Sequence, residues 1–166
     1  MKKEISGKKA IRIIVIVSFV IYVLALYYFT IGKSVPIIIN GEKHRANLIP
    51  FQTIANYINM IVKGNSLTGL AVINLAGNLL LLLPMALYLP FFIKALRGFW
   101  KDMLVVFGII LLIEIIEYVT ARGSFDVDDI ILNMLGAVIG YGIWKLKPVQ
   151  KQVAYIQEDK DAKHEQ

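Results

Sequence analysis

Five carboxylates, Glu114, Glu117, Asp126, Asp128 and Asp129, fall within one stretch, EIIEYVTARGSFDVDDIILNMLG, at 114–136. Arg122 is the one cation among them. Two carboxylates one helical turn apart can act as an acid and a base when burial separates their proton affinities. A carboxylate cluster can instead hold Mg²⁺ or Ca²⁺, or accept hydrogen bonds from sugar hydroxyls. An arginine in the same place suits a phosphate or carboxylate. Asn74, Asn78 and Asn133 add amides that both donate and accept. No pattern fixes a reaction: there is no HExxH, P-loop or GxSxG, and neither His44 nor His164 has a metal-type partner nearby in sequence. The chain has no cysteine, which excludes disulfides and thiolate chemistry. No catalytic residue, metal or cofactor is assigned.

The elements that must position these residues are written in long apolar runs. The 166 residues are 57% hydrophobic, and no charge interrupts 13–32 or 64–93. A helix needs about 20 apolar residues to cross a hydrocarbon core of about 30 Å. A third run, 103–120, is apolar except for Glu114 and Glu117, and a fourth, 130–144, can be lengthened by snorkelling Lys145 and Lys147. The reading is all-α, a polytopic membrane bundle of four transmembrane helices. Residues 1–9 form a basic start, 10–147 the membrane domain and 148–166 a polar, solvated and mobile tail. The first run is too long for a signal-peptide core, so it reads as an uncleaved anchor.

Between the first two runs, Asn40-Gly41 marks a hairpin-type turn, and ANLIPFQTIANYINMIV at 46–62 reads as an interfacial or re-entrant helix. A fifth span there would break the charge asymmetry. With the N-terminus in the cytoplasm, thirteen of the 18 lysines and arginines fall on cytoplasmic segments. That obeys the positive-inside rule and places both termini inside. It also gives the net charge of +6 an explanation other than nucleic acid, which is excluded as a partner. Pro84 is expected to kink the second helix.

In this topology the polar residues converge on the outer side. Asn74 and Asn78 share a helix face at i,i+4, as do Asp129 and Asn133, and Glu114 and Glu117 share one at i,i+3. Glu114 falls roughly 16 Å into its helix, near the midplane, where a carboxylate must face the bundle interior. Arg122 is expected to pair with one of the carboxylates. Bland roles compete: the asparagines around Gly77 as interhelical glue, Asp126 or Asp128 as a helix N-cap, Gly136-x-x-x-Gly140 as a packing motif, and Tyr22, Tyr27, Tyr28 and Tyr118 as an interface belt.

Three ordered blocks resemble the VanZ-like membrane proteins: NLIPF at 47–51, NLAGNLLLLLPMALYLP at 74–90, and IEIIEYVTARGSFDVDDIILNMLGAVIGY at 113–141. Glu117 stands where the family often has glutamine, which makes this cluster more acidic. Leu82 and Ala86 replace a frequent phenylalanine and glycine, which implies repacking. The resemblance carries the polar positions Asn47, Asn74, Asn78, Glu114, Arg122, Asp126, Asp129 and Asn133 over to this chain, with Glu117 beside them. It also implies a link to glycopeptide antibiotics, because the family's namesake is associated with resistance to teicoplanin, a lipid-tailed glycopeptide.

The expectation is a protein of the bacterial plasma membrane that binds an amphiphile at the outer leaflet. The ligand would be a lipid-linked envelope precursor or a lipoglycopeptide. One alternative is a membrane-embedded hydrolase or transferase that uses carboxylates or a metal on a lipid-linked substrate. Another is a non-catalytic partner of an envelope membrane complex.

Overall fold

The computed structural model describes residues 2–32, 46–64 and 66–161. The Asn40-Gly41 turn lies outside them. Helix α1, Lys2–Tyr27, runs on into a π-helical turn, Tyr28–Gly32. Strand β1, Ala46–Asn47, precedes α2, Gln52–Val62. Then come α3 (Thr68–Leu81), α4 (Met85–Phe92) and α5 (Phe99–Val119). Strand β2, Phe125–Asp126, leads into α6, Val127–Trp144, and α7 is Lys147–Asp161.

Helix α6 is the centre of the bundle and packs against α3, α4 and α5. Two glycines make this possible. A Cβ on Gly136 would overlap the carbonyl of Leu79, and one on Gly140 would overlap the carbonyl of Leu83. The Gly-x-x-x-Gly pair thus serves close helix approach within the chain. Leu82, Val106, Ile110 and Ala137 fill the core around this contact. Leu82 and Ala86, the two unusual positions, are both fully buried there.

The expected kink at Pro84 is a full break between α3 and α4. Proline has no N–H for the carbonyl of Leu80, and its ring crowds that turn. A tyrosine answers one of the neighbouring carbonyls: Tyr22 Oη donates to Leu81 O at 2.8 Å. Tyr22 therefore points inward, unlike Tyr27 and Tyr28, which are exposed as an interface belt requires.

Among the described residues, three segments are long and apolar enough to cross a membrane: Gly7–Thr30, Thr68–Phe92 across the break, and Val127–Trp144. The fourth expected span, α5, has sufficient length at 21 residues but carries Lys101, Asp102, Glu114 and Glu117. Its carboxylates Asp102 and Glu114 are buried in the bundle. The exterior is strongly apolar, with Ile14, Ile21, Leu24 and Ile73 among many exposed side chains.

Segment 46–62, read as interfacial or re-entrant rather than as a fifth span, contains a helix of 11 residues, about 16 Å long, too short to cross a membrane. Its half-buried residues Thr53, Ile54, Tyr57, Met60 and Ile61 recur at helical spacing, which lays one face on the bundle. One expectation changes, that of a mobile tail: Lys147–Asp161 is a helix packed on α1. Val153 and Ile156, apolar positions three residues apart in a polar sequence, are buried in the core. Lys8 lies over the Tyr155 ring at 4.6 Å, and Gln157 Nε2 donates to Phe91 O at 2.8 Å.

Candidate functional site

The three aspartates of the FDVDD motif have three different tasks. Successive residues on a helix project about 100° apart, so neighbours face different partners. Asp126 is the N-cap of α6, and its Oδ1 accepts from Asp128 N at 2.9 Å. The same carboxylate accepts from Asn47 Nδ2 at 3.1 Å and from Thr53 Oγ1 at 2.7 Å. Asp128, fully buried, turns to α2 and accepts from the N–H groups of Phe51 and Ile54. Asp129 faces α3, where Asn78 Nδ2 donates to it.

Short parallel pairing of β1 with β2, Asn47 opposite Asp126, ties the α2 segment to the start of α6. Glu114 closes the arrangement from α5: its Oε2 accepts from Asp126 N at 3.1 Å. It lies about 8 Å from the end of α5 and about 22 Å from its start, so it sits towards the α2 end of the bundle rather than midway. Tyr57 on α2 is half-buried beside this cluster. Burial pushes its phenol up, and the charges of Asp129 and Asp126 add to the shift.

Behind these clips is a pocket of about 40 Å³ lined by Asn78, Glu114, Glu117, Asp129 and Asn133, with Leu82 and Ile110 at its apolar side. Asn133 is buried; its Nδ2 donates to Asp129 O at 2.8 Å, and its Oδ1 has no hydrogen-bond partner. The pocket adjoins a larger open groove of about 560 Å³ between α1 and α3, which shares Thr30, Asn78, Leu81, Glu117 and Asp129 with it. Tyr22, Leu26, Phe29, Ile73 and Leu80 give the groove apolar walls, and Asn74 adds a polar group.

Of the nine residues read as a site, Asn78, Glu114, Glu117, Asp129 and Asn133 meet at the pocket, and Asn74 lies in the groove. Asn47 and Asp126 form a structural clip to α2. Arg122 is half-buried in the turn after α5, where its N–H donates to Glu117 O, and it lines neither cavity. Sequence reasoning missed Tyr22 and Thr53, whose partners Leu81 and Asp126 are distant in sequence, and Thr30, which lines the pocket beside residues of distant segments. It also passed over Asp102, fully buried at the opposite end with no hydrogen-bond partner on either oxygen. A charge in the first turn of a helix that then becomes apolar was the available signal.

Among the described residues, three apolar helical segments of membrane-crossing length, an apolar exterior and a buried polar pocket define a helical membrane protein. The chain belongs to the VanZ/LLP1 family, which residues 19–148 match. It is similar to Protein VanZ of Enterococcus faecium, 24% identical over 128 residues that cover 77% of this chain and 70% of the relative. No solved structure matches the chain.

Proposed function

We propose that this protein spans a bacterial plasma membrane four times, with both termini cytoplasmic, and binds an amphiphile from the outer leaflet. Its role is protection against teicoplanin-type glycopeptides. The groove between α1 and α3 carries this reading. It is apolar along Ile73, Leu80 and Phe29, as a lipid chain requires, and ends on Asn74, Asn78, Glu117 and Asp129, as a polar head requires. Helix α5 is the fourth span, with its carboxylates turned into the bundle. The exposed Leu48, Ile49, Phe51 and Val62 beside α2 suit an interfacial seat. The excess of lysine and arginine at the α7 end supports the orientation.

Gly77 lines the groove, and a Cβ there would meet nothing within 4 Å, so Gly77→Leu projects a bulky side chain from an open position into the groove. Purified protein is examined by native mass spectrometry with a lipid-tailed glycopeptide and with its tail-less counterpart. The tailed form alone is expected to be retained, and Gly77→Leu is expected to release it. Equal retention of both forms, or no effect of the substitution, would remove the groove as the binding site.

A further inference from the structure

We infer that the group held in the small pocket is a primary ammonium, so that the amphiphile is one carrying an amine close to its lipid chain. This rests on the amphiphile reading above and adds the chemistry of the head group. Hydrogen-bond bookkeeping of the pocket carries it. Asn78 Nδ2 is engaged with the Asp129 carboxylate. Asn133 Nδ2 donates to the backbone carbonyl of Asp129 at 2.8 Å. A carbonyl can only accept, so it fixes the Asn133 amide with nitrogen towards it and oxygen away. Thr30 Oγ1 donates to Leu26 O at 2.8 Å.

What remains wholly unmatched at the pocket is an acceptor. Asn133 is 4% exposed, and its Oδ1 is buried with no partner. A buried acceptor left unmatched is costly and rare in a folded protein. Around it stand the carboxylates of Glu114, Glu117 and Asp129, and no lysine, arginine or histidine among the described residues lines the pocket. An ammonium supplies three donors and one positive charge in a volume close to that of a water molecule. It therefore fits a pocket of about 40 Å³, matches Asn133 Oδ1 and leaves two donors for the carboxylates around it. A phosphate brings acceptors to acceptors and negative charge to three carboxylates, where low dielectric magnifies the repulsion. Among the described residues no group of three or more carboxylates is arranged to hold a metal ion.

The test uses full-length protein in phosphatidylcholine nanodiscs, titrated with dodecylammonium, dodecyl phosphate and dodecanol, with empty nanodiscs subtracted. Dodecylammonium is expected to bind at least about tenfold more tightly than the other two, the difference one charge-assisted hydrogen-bond set provides. Asn133→Leu and Glu117→Gln are each expected to remove that preference, so that the amine binds no more tightly than dodecanol. The Glu117→Gln arm stands even if Asn133→Leu does not fold. Phosphate or dodecanol binding as tightly as the amine would overturn the ammonium assignment and leave the amphiphile reading intact. No saturable binding of any of the three, or binding that persists in Gly77→Leu, would overturn both.

Discussion

Asp128 holds Phe51 across the bundle: its Oδ1 accepts from the Phe51 N–H at 2.5 Å, and its Oδ2 from the Ile54 N–H at 3.1 Å. Phe51 is the N-cap of α2, in the left-handed region at φ 66°, and offers no capping side chain of its own. A bulky L-residue there costs roughly 1–2 kcal/mol. The carboxylate of a different helix thus supplies the cap and holds the strained residue in place.

Asp128→Ala removes both acceptors and leaves two N–H groups without them. It should destabilise the α2 segment by about 1–3 kcal/mol. Hydrogen exchange at the amides of Phe51 and Ile54 is the direct readout, and both should lose protection. Unchanged protection would mean that α2 is held by its apolar face alone.

Gly136→Ala forces a Cβ against the carbonyl of Leu79, a backbone atom that cannot swing aside. The overpacking should cost about 1–3 kcal/mol and lower the unfolding temperature in detergent. Gly142→Ala on the same helix meets nothing within 4 Å and should be close to neutral. Equal behaviour of the two would deny the tight α3–α6 contact.

Ile156→Ala removes a side chain that is buried between α7 and the bundle. A loss of about 2 kcal/mol or more is expected, as for other large-to-small core changes. A mobile tail would show no change, and limited proteolysis at Lys151 would then be as fast in the wild type as in the variant.

The chain has no cysteine, so single cysteines report topology without background. Lys63→Cys should react with a membrane-impermeant maleimide on intact cells, and Lys151→Cys only after permeabilisation. The reverse pattern would invert the proposed orientation.

The helices and the family were legible in the residues themselves, because membrane solvent imposes a local rule: each span must be long, apolar and internally hydrogen-bonded. Gly7–Thr30, Thr68–Phe92 and Val127–Trp144 obey it plainly. The tail did not, because Val153 and Ile156 are sparse in a polar sequence and only a neighbouring helix gives them a place to be buried. The carboxylate cluster was legible as a cluster, since charge in an apolar run is conspicuous at any level of reading. Its division of labour was not. Asp126, Asp128 and Asp129 are one residue type within four positions, and their roles differ because Asn47 and Thr53, Phe51 and Ile54, and Asn78 arrive from three distant segments. Sequence determined which residues could accept a proton, a cation or a hydrogen bond. Tertiary structure decided which of those acceptors were matched by protein donors, and it left Asn133 Oδ1 in a pocket without one.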